Sequence, residues 1–200
     1  VHKGKFWDLS FPELRPRPVQ KPHPPIVRAC ISEESMVAMG HAGRPVLIGV
    51  QTIDTLRHRF VRYQEGLEAS GLNEKQIEDV LDQTWAQRAL FVCDSDDEGL
   101  EIAEAGLSNF KAHLFDARVK FNPGGAQTPE PGTPPPDSEV VEHAFLAGTP
   151  ATVAGKLEEL RDIGVRNVLL NPNIGQIAPD KVEKSLRMFG ESVMPKFRDN

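Results

Sequence analysis

The sequence predicts an α/β fold, a parallel sheet built from about four consecutive strand–helix units. Three observations predict it. Short apolar runs at 26–30, 46–50, 88–93 and 165–170 alternate with segments of helical periodicity. Capping residues stand where those helices begin, and glycines where they end. The chain has 200 residues, enough for a substantial core. A complete (β/α)8 barrel needs eight such units and about 250 residues, so four units predict half a barrel. They would equally build an open doubly wound sheet, although no G-x-G-x-x-G turn accompanies them.

The elements follow in order. Residues 1–25 read as an extended excursion rich in Pro and aromatics. Pro22, Pro24 and Pro25 bias the residues before them toward extended backbone and lead into the first strand, 26–30. Ser32 is placed to cap the next helix, with Glu33 and Glu34 in the first turn, where the helix dipole favours acids. Gly43 ends it. After the strand at 46–50, Asp54 is read as the cap of a long helix carrying Leu56, Phe60, Tyr63 and Leu67 at helical spacing, closed by Gly71. A short helix is expected over 73–81 and a third strand over 88–93. Asp94 and Asp96 then open a helix through Leu100, Ala103, Leu107, Phe110 and Leu114. Residues 122–137, NPGGAQTPEPGTPPPD, break every periodicity and read as a loop or lid inserted in a single domain spanning 1–200. Order returns at Gly148. Thr149 caps, Pro150 takes the first helical position, and Val153, Leu157, Leu160 and Ile163 form one stripe ended by Gly164. A last helix over 180–189 is expected to bury Val182, Leu186 and Phe189.

Composition narrows the function. Lys and Arg number 23 against 29 Asp and Glu, a net charge of −6 with a pI near 5.5. No basic stripe offers itself to nucleic acid or to an anionic membrane. No apolar run approaches a membrane span. The two cysteines, Cys30 and Cys93, lack metal-ligand spacing, and the six histidines are scattered, so no metal is assigned. A reduced, cytoplasmic protein is the expectation. The chain opens at Val1 with VHKGKFWDLSFPELRPRP, which reads as the interior of something longer, so a fragment is expected.

Several stretches resemble one family. RPRPVQKPHPPIVRAC at 15–30 is similar to the proline-rich entry segment of luciferase-like flavin-dependent monooxygenases. Ser32-Glu33-Glu34-Ser35, followed by Ala38 and Gly43, looks like their Ser-Pro-Glu-Ser helix start. LFVCDSDDEGLEIAE resembles their strand-to-helix turn, GTPATVAGKLEELRDIGVRNVLLN their late helix and final strand, and KSLRMFGESVMPKFR their closing helix. The matches stand in the family's order and cover nearly the whole chain. The resemblance implies a TIM barrel of which this chain is about the C-terminal half, strands five to eight. It implies reduced FMN and O2 acting on a small organic substrate, a dimer, and a flavin reductase as a further candidate partner. The family's catalytic histidine belongs to the other half, so the catalytic residues are unknown from this chain.

Four loops then fall at the C-terminal strand ends, where barrel sites lie: 30–35, 49–54, 93–96 and 171–178. The first carries the cofactor-binding assignment. A helix start offers free N–H groups to a phosphate, and the resemblance implies Ile31 (backbone), Ser32 and Ser35 as its contacts. Against it, Glu33 stands where the family often has Pro, and two acids repel a phosphate unless they turn away. Arg28 departs from the apolar pattern of its strand; it faces either an anion inside the barrel or an ion-pair partner in the other half. Cys30 and Cys93 at strand ends read as small buried residues without a role. Asn171, Asn173 and Gly175 either touch flavin or form a turn. Three rivals stay open: an F420-dependent oxidoreductase of the same fold, a non-catalytic subunit, and a truncated inactive chain. Half a barrel exposes sheet edges and inner strand faces, so residues 1–200 alone are expected to self-associate and to bind FMN weakly.

Overall fold

Five short strands of this chain run parallel, which puts all their C-terminal ends on one side. In the computed structural model, which describes residues 1–13, 15–124 and 138–198, they are β3 (Arg28–Cys30), β4 (Val46–Ile48), β5 (Trp85–Val92), β6 (Leu146–Gly148) and β7 (Asn167–Asn171). The long strand β5 is the hub. Its first residues pair with β4, residues Trp85 to Ala89 pair with β7, and Leu90 to Val92 pair with β6. β3 adds to the far side of β4. A separate two-residue ribbon pairs β1 (His2–Lys3) with β2 (Asp8–Leu9) in antiparallel sense.

Helices return the chain between strands: α1 (Glu33–His41), α2 (Ile53–Glu68), α3 (Glu74–Leu81), α4 (Asp96–Phe121), α5 (Ser138–Ala144), α6 (Pro150–Ile163) and α7 (Pro179–Met188). A wide turn at Phe189–Val193 and a tight one at Met194–Phe197 follow. The predicted α/β class and the alternation of its units are what the chain adopts, as a partial barrel. The strands differ at their ends: β5 begins three residues before the predicted run, and β7 spans Asn167–Asn171 rather than 165–170. The predicted loop at 122–137 lies, beyond its first three residues, outside the described residues.

Register sorts the side chains into two faces. Val46, Ile48, Ala86, Leu90 and Val92 point one way and are buried beneath the helices. Leu56, Phe60, Tyr63 and Leu67 of α2 meet them from above, as their spacing predicts. The opposite face carries Ala29, Leu47, Trp85 and Leu169. Here Trp85 is 39% exposed and Leu169 44%. Farther along β5 this face is covered, with Ala89 and Phe91 buried against α4 and α5. The open part around Trp85 and Leu169, together with the free edges of β3 and β7, favours association. Sedimentation of residues 1–200 is therefore expected to show mass rising with concentration; a monomer at every concentration would contradict this.

Three sequence expectations are corrected. The cap of α2 is Thr52, whose Oγ1 accepts the Thr55 N–H at 3.3 Å, while Asp54 sits inside the first turn. In α7, Leu186 is 44% exposed and the buried position belongs to Ser185, whose Oγ accepts the Val92 N–H at 2.8 Å. A polar side chain thus occupies the packed face because it satisfies a β5 amide. The third correction concerns α5 and β6, which no periodicity announced. Seven and three residues are too few to show one.

Candidate functional site

Because β3 to β7 are parallel, the loops after all five open at the same end. The four loops expected there are present, and the turn after β6, at Gly148–Thr149–Pro150, joins them as a fifth.

The start of α1 is the most developed of these. Ser32 is extended (φ −87°, ψ 151°) and its Oγ accepts the Ser35 N–H at 3.2 Å. The same hydroxyl donates to Ser35 Oγ at 3.0 Å. Each hydroxyl has a single hydrogen, so that of Ser35 remains free to donate. The N–H groups of the first turn have no partner within the helix. Ser32 and Ser35 therefore do cap the helix, and they also leave donors facing outward beside it. Of the two acids in this first turn, one is engaged elsewhere. Glu33 turns to α2, where its carboxylate lies 3.2 Å from His58 Nε2 and 4.0 Å from Arg62 Nε.

Two residues that sequence reasoning missed complete this corner. Arg59, on α2, donates from Nη1 to the Ile31 carbonyl and to Gln51 Oε1, each at 2.5 Å. Gln51 is only 9% exposed and lies in the loop after β4. Its Nε2 has no hydrogen-bond partner among the described residues. The Ile31 side chain is 71% exposed and lies along Gly49, where an added Cβ would sit 3.0 Å from it. No local motif marks Arg59, since its contact to Ile31 spans 28 residues.

The remaining candidates divide. Asp96 opens α4 behind the cap Ser95, and its Oδ1 accepts the Thr149 N–H at 2.7 Å, tying the turn after β5 to the turn after β6. That backbone N–H, then the Thr152 hydroxyl, hold its carboxyl below the usual carboxylate range. Asp94 pairs with Lys184 of α7 at 2.5 Å. Asn171 and Asn173 serve a turn: their side chains accept the N–H groups of Asn173 and Ile177 at 3.2 and 3.1 Å. Gly175 packs against α4 and takes φ 74°. Arg28 shares its face with Val46 and Cys30, the face turned to the helices, so the inward orientation considered for it does not arise. Burial raises the Cys30 thiol, with Arg28 opposing, and pushes Cys93 up to about 11, aided by Glu98. Both thiols are protonated at neutral pH, which is unlike a reactive cysteine. Among the described residues no group of three or more His, Cys, Asp or Glu could hold a metal, and no helix is long and apolar enough to cross a membrane.

A groove of about 630 Å³ lies elsewhere. Val168, Leu170, Leu157, Phe189 and Phe197 line it on the helix side of β7, away from the strand-end loops around α1.

The chain is a parallel partial barrel, and the start of α1 lies among the strand-end loops, the end at which barrel enzymes carry their sites. Residues 1–167 match the family described as luciferase-like monooxygenase, and the chain belongs to that family. It is 27% identical over 150 residues, 70% of its length, to 2,5-diketocamphane 1,2-monooxygenase 1 of Pseudomonas putida. Its fold is similar to the oxygenating constituent of 3,6-diketocamphane monooxygenase from the same organism, a type II Baeyer-Villiger monooxygenase solved with FMN. There the TM-score is 0.61 at 21% identity over 98% of this chain. It is also similar to an F420-dependent secondary alcohol dehydrogenase solved with an F420–acetone adduct, with TM-score 0.66 at 18% identity over 99% of this chain. The chain spans 41% of the first relative, and 57% and 56% of the two solved chains.

Proposed function

We propose that this chain supplies the flavin-phosphate side of a flavin-dependent monooxygenase site, in which reduced FMN and O2 oxidise a small organic substrate. The observation that carries this reading is the start of α1. Ser32 and Ser35 present hydroxyls and first-turn N–H groups together, at the strand ends where barrel sites form. Glu33, the obstacle to an anion there, is turned to His58 and Arg62. A phosphate would take donors from the Ser35 hydroxyl and the free backbone amides. Bound there, the flavin would supply the redox chemistry. The protein's share is to hold it, to orient the substrate and to exclude water. The small organic substrate, and a flavin reductase and a dimeric partner where the whole protein uses them, belong to the same proposal.

F420 is the second reading, favoured by the likeness to an F420-dependent dehydrogenase. A hydride-transferring enzyme would need the same anion clamp and no O2. The test is equilibrium binding of FMN, F420 and riboflavin to the 200-residue chain. Weak binding is expected, with FMN preferred over riboflavin by about tenfold, the worth of one charge-assisted hydrogen bond. Ser32→Ala with Ser35→Ala should remove that preference. Preference for F420 over FMN would move the assignment to hydride transfer. Equal binding of FMN and riboflavin would end the phosphate reading.

A further inference from the structure

Arg59 touches no substrate-facing position that a motif would identify, yet it joins two strand-end loops. A single nitrogen, Nη1, donates to the carbonyl of Ile31 after β3 and to the side-chain oxygen of Gln51 after β4. A terminal guanidinium nitrogen carries two hydrogens, so both bonds can be made at once. Arg59 forms no ion pair among the described residues. The acid beside it, Glu33, is engaged by His58 and Arg62 instead.

Two consequences follow from bond geometry. Arginine only donates, so Gln51 must turn its oxygen to Arg59 and its NH2 away; the opposite amide orientation would set donor against donor. That NH2 is buried and, among the described residues, without a partner. Burying an amide donor unpaired is unfavourable, and a ligand acceptor would remove the cost. In a trans peptide the C=O and the following N–H point in opposite directions. Holding the Ile31 carbonyl toward α2 therefore turns the Ser32 N–H away from α2.

We propose that Arg59 is a positioning residue for the phosphate monoester of the flavin, and that Gln51 Nε2 is a further donor to the bound cofactor. The inference rests on the flavin-phosphate reading above. Arg59 sets the Ile31–Ser32 peptide and the Gln51 carboxamide so that donors from two neighbouring loops serve one oxyanion. Its own charge, paired with no carboxylate among the described residues, adds to the field at the start of α1.

The experiment compares wild type, Arg59→Met, Arg59→Lys and Gln51→Leu in binding of FMN, riboflavin and inorganic phosphate at fixed ionic strength, with thermal midpoints alongside. Arg59→Met should lower the FMN-to-riboflavin preference about tenfold and flatten the salt dependence of FMN binding, leaving riboflavin affinity unchanged. Arg59→Lys should restore part of the preference. Gln51→Leu should weaken FMN binding with Arg59 intact, and it carries the test if Arg59→Met fails to fold. A wild-type preference for FMN that survives both Arg59→Met and Gln51→Leu overturns the inference while the phosphate reading stands. Equal loss of FMN and riboflavin in Arg59→Met shows a merely structural role and also overturns it. A wild type without preference removes the phosphate reading, and this inference with it.

Discussion

Replacing Gly40 by valine is expected to destabilise the fold by about 3 kcal/mol or more, at the upper end for overpacking. Gly40 lies in α1 where that helix crosses α2, and Gly66 faces it. A Cβ built at Gly40 would lie 2.5 Å from the Tyr63 carbonyl oxygen and 3.1 Å from Gly66 Cα. Both are backbone atoms, so no rotamer change relieves the clash and α2 itself must move. Glycine inside a helix costs about 1 kcal/mol relative to alanine, so α1 accepts a local penalty in return for this approach. Alanine would recover that penalty and still meet the oxygen, so its loss should be smaller than that of valine. The close crossing also has a functional side. It sets the distance over which Arg59, His58 and Arg62 of α2 reach Ile31 and Glu33 at the start of α1. Urea unfolding of Gly40→Val and Gly40→Ala against wild type checks the order. A valine variant with an unchanged midpoint would show that the helices are not in contact as described.

What the sequence revealed, and what it hid, follows the range of each interaction. Ser32 and Thr149 with Pro150 are capping signals written within four residues, and each caps as read. Gly164 ends α6 in the left-handed region at φ 99°, a requirement local enough to read. Asp54 reads as the cap in place of Thr52 because either residue type caps well and only the backbone decides between them. Periodicity places Leu186 in the core, because it cannot see that a β5 amide needs an acceptor and draws Ser185 inward. The same limit hid half of the candidate site. Ser32 and Ser35 are legible because they form the cap itself. Arg59 and Gln51 come together only when β3, β4 and α2 have folded, and nothing near them in sequence reports that.

Arg88→Met should make the protein more stable, by about 1–3 kcal/mol, as replacements of poorly paired buried charges often do. Arg88 is completely buried on the helix side of β5, in register with Leu170 of β7. One of its nitrogens, Nη1, donates to the Gln87 carbonyl at 2.7 Å. Nε and Nη2 have no partner among the described residues. Burial pulls its pKa down from the usual arginine range to about 10. The group is therefore still charged at neutral pH, and the cost of dehydrating it is carried by the native state. Methionine is unbranched and apolar, fills a similar channel and brings no donors to satisfy. The sign of the pH dependence follows from linkage. The unfolded chain holds this proton more tightly than the folded one, so the penalty is complete below about 10 and shrinks as pH rises from there toward the ordinary arginine range. The stability gap between variant and wild type should accordingly be flat through neutral pH and narrow above about 10. Denaturant melts of the two proteins across that range measure it directly. A destabilised Arg88→Met would mean that the two nitrogens have a counterpart beyond the described residues, and that this arginine joins β5 to it.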